Sequence, residues 1–260
     1  MSGTIYIAAS GALAFQKRLE IISNNLANIN TKGFKEDLTL FRSYLPGPSD
    51  AVKADIEEYL ASEEVDLLDP HLSNNFLVKV EDTITDFSPG DMRRTGNVLD
   101  LALEGDGFFC VNTPDGTQYT RKGNFTMNND GVLVTEEGHP VLGNGGEIEV
   151  DGRDVVVDAQ GNVSVDGNQI DTLRIVSFSD NSVLKKVGDV LFAPIDEQVS
   201  EESAEGVTVN QGFLESSNVN AVQAMVEMIE VLRGYESYQK ILRSIDDLTL
   251  QTINEVGELA

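Results

Sequence analysis

The sequence predicts an α+β protein in which N- and C-terminal coiled-coil helices flank a mainly antiparallel β domain. Two apolar stripes and one change of pattern predict it. Near the start, Ile5, Ala8, Ala12, Phe15, Leu19, Ile22, Leu26 and Ile29 recur in alternating steps of three and four, the rhythm of a helix lying along another helix. Near the end, Met228, Val231, Tyr235, Tyr238, Leu242 and Ile245 repeat it. Between them, short β-favouring runs alternate with glycine-centred turn pairs, as hairpins and meanders require.

The first segment, 1–35, reads as one long helix and its exit. About 25 residues at ~1.5 Å each span about 38 Å, well beyond an average globular helix. Such an apolar seam cannot cover itself, so it pairs with the C-terminal helix, with other subunits, or with both. The stretch "ISNNLANINTKGFKED" at 22–37 closes the helix. Asn24, Asn25 and Asn28 flank the seam residues Leu26 and Ile29. Amides both donate and accept, so they can cross-link neighbouring helices without burying charge. Gly33 is expected as a left-handed C-cap, with Lys32 and Lys35 near the negative end of the helix dipole.

Residues 36–75 read as an extended acidic connector, interrupted by Pro46 and Pro48, with one short helix around 50–62. The β domain is expected over 76–212, with strands at 107–112, 118–128, 131–135, 154–158 and 172–178. Its predicted turns are Asp115-Gly116, Lys122-Gly123, Asp130-Gly131, Asp151-Gly152, Gln160-Gly161 and Asp166-Gly167. The last segment, 213–260, carries a helix from about 221 to 255, opened by a capping box of Asn220 and Gln223. A second stripe, Val222, Met225, Ile229 and Leu232, runs beside the first. Two adjacent stripes imply more than one helical neighbour.

Composition closes several alternatives. Eighteen basic against 44 acidic side chains give a net charge of −26, which repels phosphate backbones and anionic lipid surfaces. Nucleic-acid binding is therefore not expected. The absence of a run of about 18 apolar residues argues against membrane insertion by a helix. No cation precedes Lys17, so a cleaved secretory signal is not expected. Cys110 is the sole cysteine, and "GFFCVN" places it on a buried, unreactive strand. His71 and His139 have no carboxylate or cysteine at a ligand spacing. "TMNNDGVLVTEE" matches a calcium loop at three positions but starts with Thr126 and lacks flanking helices, so a hairpin explains it. "EGDGFF" and "GNGGEIEV" read as turns rather than phosphate cradles. Glu104 and Asp106 are a chance pair in an acid-rich chain. No catalytic, cofactor or metal site is expected.

Three blocks carry a family resemblance. The first is Ser23-Asn24-Asn25-Leu26-Ala27-Asn28, followed by Thr31, Gly33 and Phe34. The second comprises "LDLALEGDGFFCV" and "YTRKGNFTMNNDGVLVTEEGHPVLG", and the third is "GFLESSNVNAVQAMVEMIEVLRGYESYQKIL". In kind and order they resemble the axial proteins of the bacterial flagellum (rod, hook and hook-associated subunits), most closely basal-body rod proteins of the FlgF/FlgG type. One departure is Lys122, where relatives have Asn or Asp before the glycine, so that turn is expected to be of a different type. Distal-rod subunits carry a glycine-rich insertion after the first helix. Here 44–75 is acidic and nearly glycine-free, which favours the proximal rod.

The resemblance implies a structural, non-enzymatic subunit of a helical tube that crosses the periplasm, transmits torque and forms part of the export-channel wall. It implies other rod subunits and further copies of itself as partners, and export by the flagellar type III apparatus. The implied assembly interface comprises Ile22, Asn24, Asn25, Leu26, Asn28, Ile29, Asn218, Asn220, Met228, Val231, Tyr235, Tyr238, Leu242 and Ile245. The alternatives are a distal-rod subunit and, from another class, a β-domain glycan-binding module or hydrolase with helical oligomerisation arms.

Overall fold

The computed structural model describes residues 2–44 and 77–258, apart from 153, 189, 197, 198 and 205. The helix expected around 50–62, most of the connector and His71 lie outside the described residues. What is described is α+β with mainly antiparallel sheets. Two compact units emerge: Met1–Ile22 with Thr39–Thr83 and Val226–Ala260, and Ser23–Leu38 with Ile84–Met225. The β-rich unit therefore includes the residues that leave the first helix.

Helix α1 spans Ser2–Ala27 and helix α2 spans Ala221–Glu258. Within the first unit they meet in antiparallel order. Gly11 faces Tyr238, Phe15 faces Gly234 and Tyr238, and Arg18 pairs with Glu227. Each aromatic ring occupies the space a side chain would need on the opposite glycine. A Cβ on Gly11 would lie 2.5 Å from Tyr238 Cε1, and one on Gly234 would lie 2.8 Å from Phe15 Cδ1. The two rings sit 5.5 Å apart, within the range of favourable tilted aromatic contact. Arg18 Nε donates to Glu227 Oε1 at 2.8 Å. The stripe predicted from spacing is thus partly covered inside the chain. At the start of α2, Asn220 Oδ1 accepts from the backbone N–H groups of Val222 and Gln223 at 3.1 and 3.2 Å, the capping half of the expected box.

In the second unit the largest sheet has six antiparallel strands. Their order is Leu184–Val187, Leu191–Pro194, Gly116–Thr120, Phe108–Thr113, Ile175–Ser177 and Glu202–Ser203. The central strand Phe108–Thr113 is buried on both faces. Phe109 and Val111 enter one core with Leu101, Phe125, Val141 and Ile148. Phe108 and Cys110 enter a second with Tyr119, Phe178 and Phe192. This is why "FFCV" is continuously apolar instead of alternating. A three-stranded antiparallel sheet, Val155–Val157, Asn162–Val165 and Asn168–Thr172, lies on the first core. Its hairpin turn, Asp166-Gly167, has φ of +50° and +82°, the pair of left-handed residues a two-residue turn needs.

The expected end of the first helix is corrected. Helix α1 ends at Ala27, because Asn28 folds back: its Nδ2 donates to Asn24 O at 3.2 Å and its Oδ1 accepts from Thr31 Oγ1 at 2.9 Å. Gly33 is therefore not the C-cap of α1, although it is left-handed at φ +66°. Lys122-Gly123 has no positive φ, in keeping with the different type expected for that turn. A Cβ on Gly123 would overlap the carbonyl oxygen of Leu101, whose N–H donates to Gly123 O at 2.9 Å. The glycine serves close backbone approach, and Lys122 is held by Glu136 and Glu137 at 2.9 and 2.7 Å. The start of the expected connector also takes regular form: Asp37–Tyr44 pairs with the strand Leu77–Thr85.

Cys110 lies fully buried, and burial pushes its thiol up to about 12. The native chain at about pH 8 is expected to resist iodoacetamide and to react rapidly once unfolded in urea, since only an accessible thiolate is alkylated. Labelling of the native chain at the rate of a free thiol would contradict this placement. Replacing Gly234 by Ala adds about 1 kcal/mol of helix propensity but displaces the Phe15 ring. A lower thermal midpoint of the helical circular-dichroism signal is expected, and a higher one would show that the ring does not occupy that space.

Candidate assembly element after the first helix

The residues that follow α1 are inserted into the β-rich unit. Gly33 donates its N–H to Glu215 O at 2.9 Å. Its approach to the Arg121–Lys122 backbone is so close that an added Cβ would lie 2.5 Å from the carbonyl carbon of Arg121. Only glycine combines that contact with positive φ. Phe34 is fully buried, and Lys186 Nζ sits 4.1 Å above its ring centroid, a cation–π arrangement. Lys186 also donates to Lys35 O at 2.7 Å and to Asp37 Oδ2 at 2.8 Å.

Beneath this turn lies a buried cluster of three charges. Lys35, Arg121 and Glu215 are 1%, 4% and 3% exposed. Lys35 Nζ donates to Glu215 Oε1 and to Ser88 O, each at 2.7 Å. Gly90 N–H adds a second donor to Glu215 Oε1 at 2.9 Å. Arg121 Nη1 stands 3.6 Å from Glu215 Oε2, beyond hydrogen-bond length, so that pairing is electrostatic. Arg121 Nη2 donates to Gly105 O at 2.6 Å, and its guanidinium carbon lies 5.3 Å from the Phe108 ring centroid. Burial lowers the pKa of both Lys35 and Arg121, and Glu215 opposes it. Two cations share one carboxylate: removing Glu215 leaves both without a counter-charge, and removing Lys35 leaves Glu215 with only the longer pairing to Arg121.

Two of the asparagines expected at the assembly interface, Asn25 and Asn218, serve this same region. Asn25 is 3% exposed and clamps the backbone of Asp37: its Nδ2 donates to Asp37 O at 2.8 Å, and its Oδ1 accepts from Asp37 N at 3.1 Å. Within the single chain Asn25 therefore ties the end of α1 to Asp37. Both ends of its amide are engaged within the chain. Asn218 joins three segments: its Oδ1 accepts from Glu36 N at 2.7 Å and its Nδ2 donates to Asp86 O at 2.9 Å and Ser88 Oγ at 3.1 Å. Lys35, expected near a helix dipole, is instead a buried ion-pair partner.

The other expected interface residues fall into distinct settings. Ile22 and Val231 are buried, whereas Leu26, Asn28, Ile29, Met228, Tyr235, Tyr238, Leu242 and Ile245 are half-buried, and Asn24 and Asn220 are exposed. The more open apolar face of α2 is the neighbouring stripe. Val222, Met225, Val226, Ile229 and Leu232 are 73%, 51%, 53%, 52% and 43% exposed. Sequence reasoning missed Glu215 and Arg121 as members of the cluster, and Asp37 as the partner of Asn25 and Lys186. Their only sequence signal was that Glu215 and Arg121 lie inside the signature blocks, since their partners are distant along the chain.

Lys35→Met is expected to destabilise the full chain by about 3–5 kcal/mol in urea denaturation, because Glu215 and the Ser88 carbonyl each lose their shortest and only charged hydrogen-bond donor. Asn25→Ala, which strands the Asp37 N–H and C=O, is expected to cost about 1–3 kcal/mol. Both values within about 0.5 kcal/mol of the unmodified chain would remove the cluster from the account of stability.

Comparison with known proteins follows the same three blocks. Family models match residues 5–35 (flagella basal body rod protein), 102–165 (flagellar hook protein FlgE/F/G D1 domain) and 210–255 (flagellar basal body rod FlgEFG protein C-terminal). The chain is 35% identical to the flagellar basal-body rod protein FlgG of Bacillus subtilis over 98% of its own length and 99% of that protein. It is 31% identical to the flagellar basal-body rod protein FlgF of Caulobacter vibrioides over 100% of both, and 32% identical to FlgG of Agrobacterium fabrum over 93% of its length and 95% of that protein. With full-length coverage at these identities, the chain belongs to the flagellar basal-body rod protein family.

Proposed function

We propose that this chain is a structural subunit of the flagellar basal-body rod, packed with other rod subunits and with copies of itself into a helical tube. Its role is mechanical, not catalytic. The observation that carries the reading is the apolar stripe that α2 leaves open beside the one that packs on α1. A helix with two apolar stripes needs a second helical neighbour. Coiled-coil packing of α1 and α2 with equivalent helices supplies it and gives torsional stiffness for torque transmission along the wall of the export channel. Agreement with full-length rod relatives supports the same conclusion. The acidic, glycine-poor stretch 44–75 favours the proximal rod.

Imaging basal bodies from a deletion strain tests the proposal: rods are expected to be lost or to stop at the proximal height. Intact rods would overturn it, and rods truncated only beyond that height would move the subunit to the distal rod. Ile229→Asp puts a carboxylate on the open stripe. The free chain is expected to keep its thermal midpoint, since the position is half exposed, while rod assembly and motility fail because each subunit then buries an unpaired charge. Normal motility in that variant would exclude the open stripe from the interface.

A further inference from the structure

We propose that Asn144 is a site of spontaneous intramolecular modification and that Asp171 holds the reaction in check. Asn144-Gly145 is the sole Asn-Gly pair in the chain. It sits at the tip of the hairpin in which Leu142 pairs with Glu147. Asn144 and Gly145 are both exposed. The Asn144 backbone N–H is anchored, donating to Thr172 O at 2.9 Å. Its side-chain amide makes no hydrogen bond among the described residues and can turn onto the backbone of the next residue. Gly145 has no side chain to block approach to its own nitrogen.

The reaction needs only this pair and water. The Gly145 backbone nitrogen attacks Asn144 Cγ, a C–N bond forms, and the Cγ–Nδ2 bond breaks. The nitrogen's proton leaves with the side-chain amino group as ammonia. Water then opens the succinimide ring at either carbonyl, giving aspartate or isoaspartate at position 144. Attack requires the nitrogen to give up its proton, and in this fold that proton is held. Gly145 N–H donates to Asp171 Oδ2 at 3.1 Å and to Oδ1 at 3.3 Å. The carboxylate is itself fixed: Oδ1 accepts from Thr172 N at 2.7 Å, and a Cβ on Gly143 would lie 2.2 Å from Oδ2. A negative group facing the nitrogen opposes the anion that attack needs, and the hydrogen bond keeps the N–H directed at Asp171. Unfolding removes both restraints. The product places a new carboxylate one residue from the N–H that Asp171 holds, and isoaspartate also lengthens the backbone of the hairpin. Both changes weaken the anchoring to Thr172.

The test incubates full-length chains in mildly alkaline buffer made with heavy-oxygen water, so that each new event is labelled, and reads the label by peptide mapping. Asp171→Asn removes the charge while keeping an acceptor of the same shape. Asn144→Gln, which closes a ring far less readily, is the blank. In urea, Asn144 is expected to be the asparagine modified first. In the native chain it is expected to react at least about tenfold more slowly, tenfold being about 1.4 kcal/mol of activation free energy. Asp171→Asn is expected to speed the native reaction about tenfold and to leave the rate in urea unchanged. Asn129, exposed on another turn, is expected to keep its native rate in that variant. Another asparagine leading in urea, or equal rates at Asn144 in native and unfolded chains, would overturn the site. A native Asp171→Asn chain that reacts no faster at Asn144, or that speeds equally at Asn129 through general loosening, would overturn the part given to Asp171.

Discussion

Lys35, Glu215 and Arg121 make one buried electrostatic cluster on which the β-rich unit depends. Residues far apart in sequence converge there: the turn after α1, the loop at Ser88–Gly90, the strand end at Arg121 and the strand Phe213–Glu215. Buried charges are costly, and replacing such a cluster with apolar groups is often neutral or favourable for stability. What the ionic arrangement adds is geometry. Lys35 has one position that satisfies both Ser88 O and Glu215 Oε1, so the turn containing it has one register. Gly33 and Phe34 enforce the same register by steric means, through a backbone approach that excludes a Cβ and a fully buried ring.

Around that cluster, hydrogen-bonding side chains do the work that regular secondary structure cannot. The segment from Thr31 to Asp37 belongs to neither α1 nor the six-stranded sheet for most of its length. Its backbone groups still require partners when buried. Asn25 supplies both an acceptor and a donor for Asp37, Asn218 accepts from Glu36, and Glu215 accepts from Gly33 through its carbonyl. An amide suits these positions because it satisfies an N–H and a C=O at once without the desolvation cost of a charge. The asparagine-rich end of the first helix is therefore a junction that directs the chain into the β-rich unit.

The helical unit follows a different logic, in which shape replaces charge. Gly11 and Gly234 are recesses for Tyr238 and Phe15, and the two rings touch each other. Paired recesses set the register of α1 on α2 more sharply than an aliphatic seam would, because sliding by one turn drives each ring into a side chain. The apolar positions this arrangement leaves uncovered lie on the adjacent stripe of α2, which is where the proposed rod contacts form.

The class of fold, both long helices, most glycine-centred turns and the family are legible in the sequence alone. Those features depend on local periodicity, on glycine at left-handed positions and on short motifs, all of which are read from neighbouring residues. The central strand is legible too, since a buried strand must be apolar on both faces. What the motif residues touch depends on contacts between distant segments. Asn25 was legible as functional but its partner Asp37 was not, because a hydrogen bond leaves no periodic trace. Gly123 reads as a turn glycine, yet it is required by the Leu101 backbone passing over it. Lys35 looks like a surface lysine beside a helix end, and only the folding of Glu215 onto it, 180 residues away in the chain, makes it a buried ion-pair partner. Pairwise contacts at that separation are set by how the sheets close around a shared core, and nothing in either local stretch encodes the distance between them.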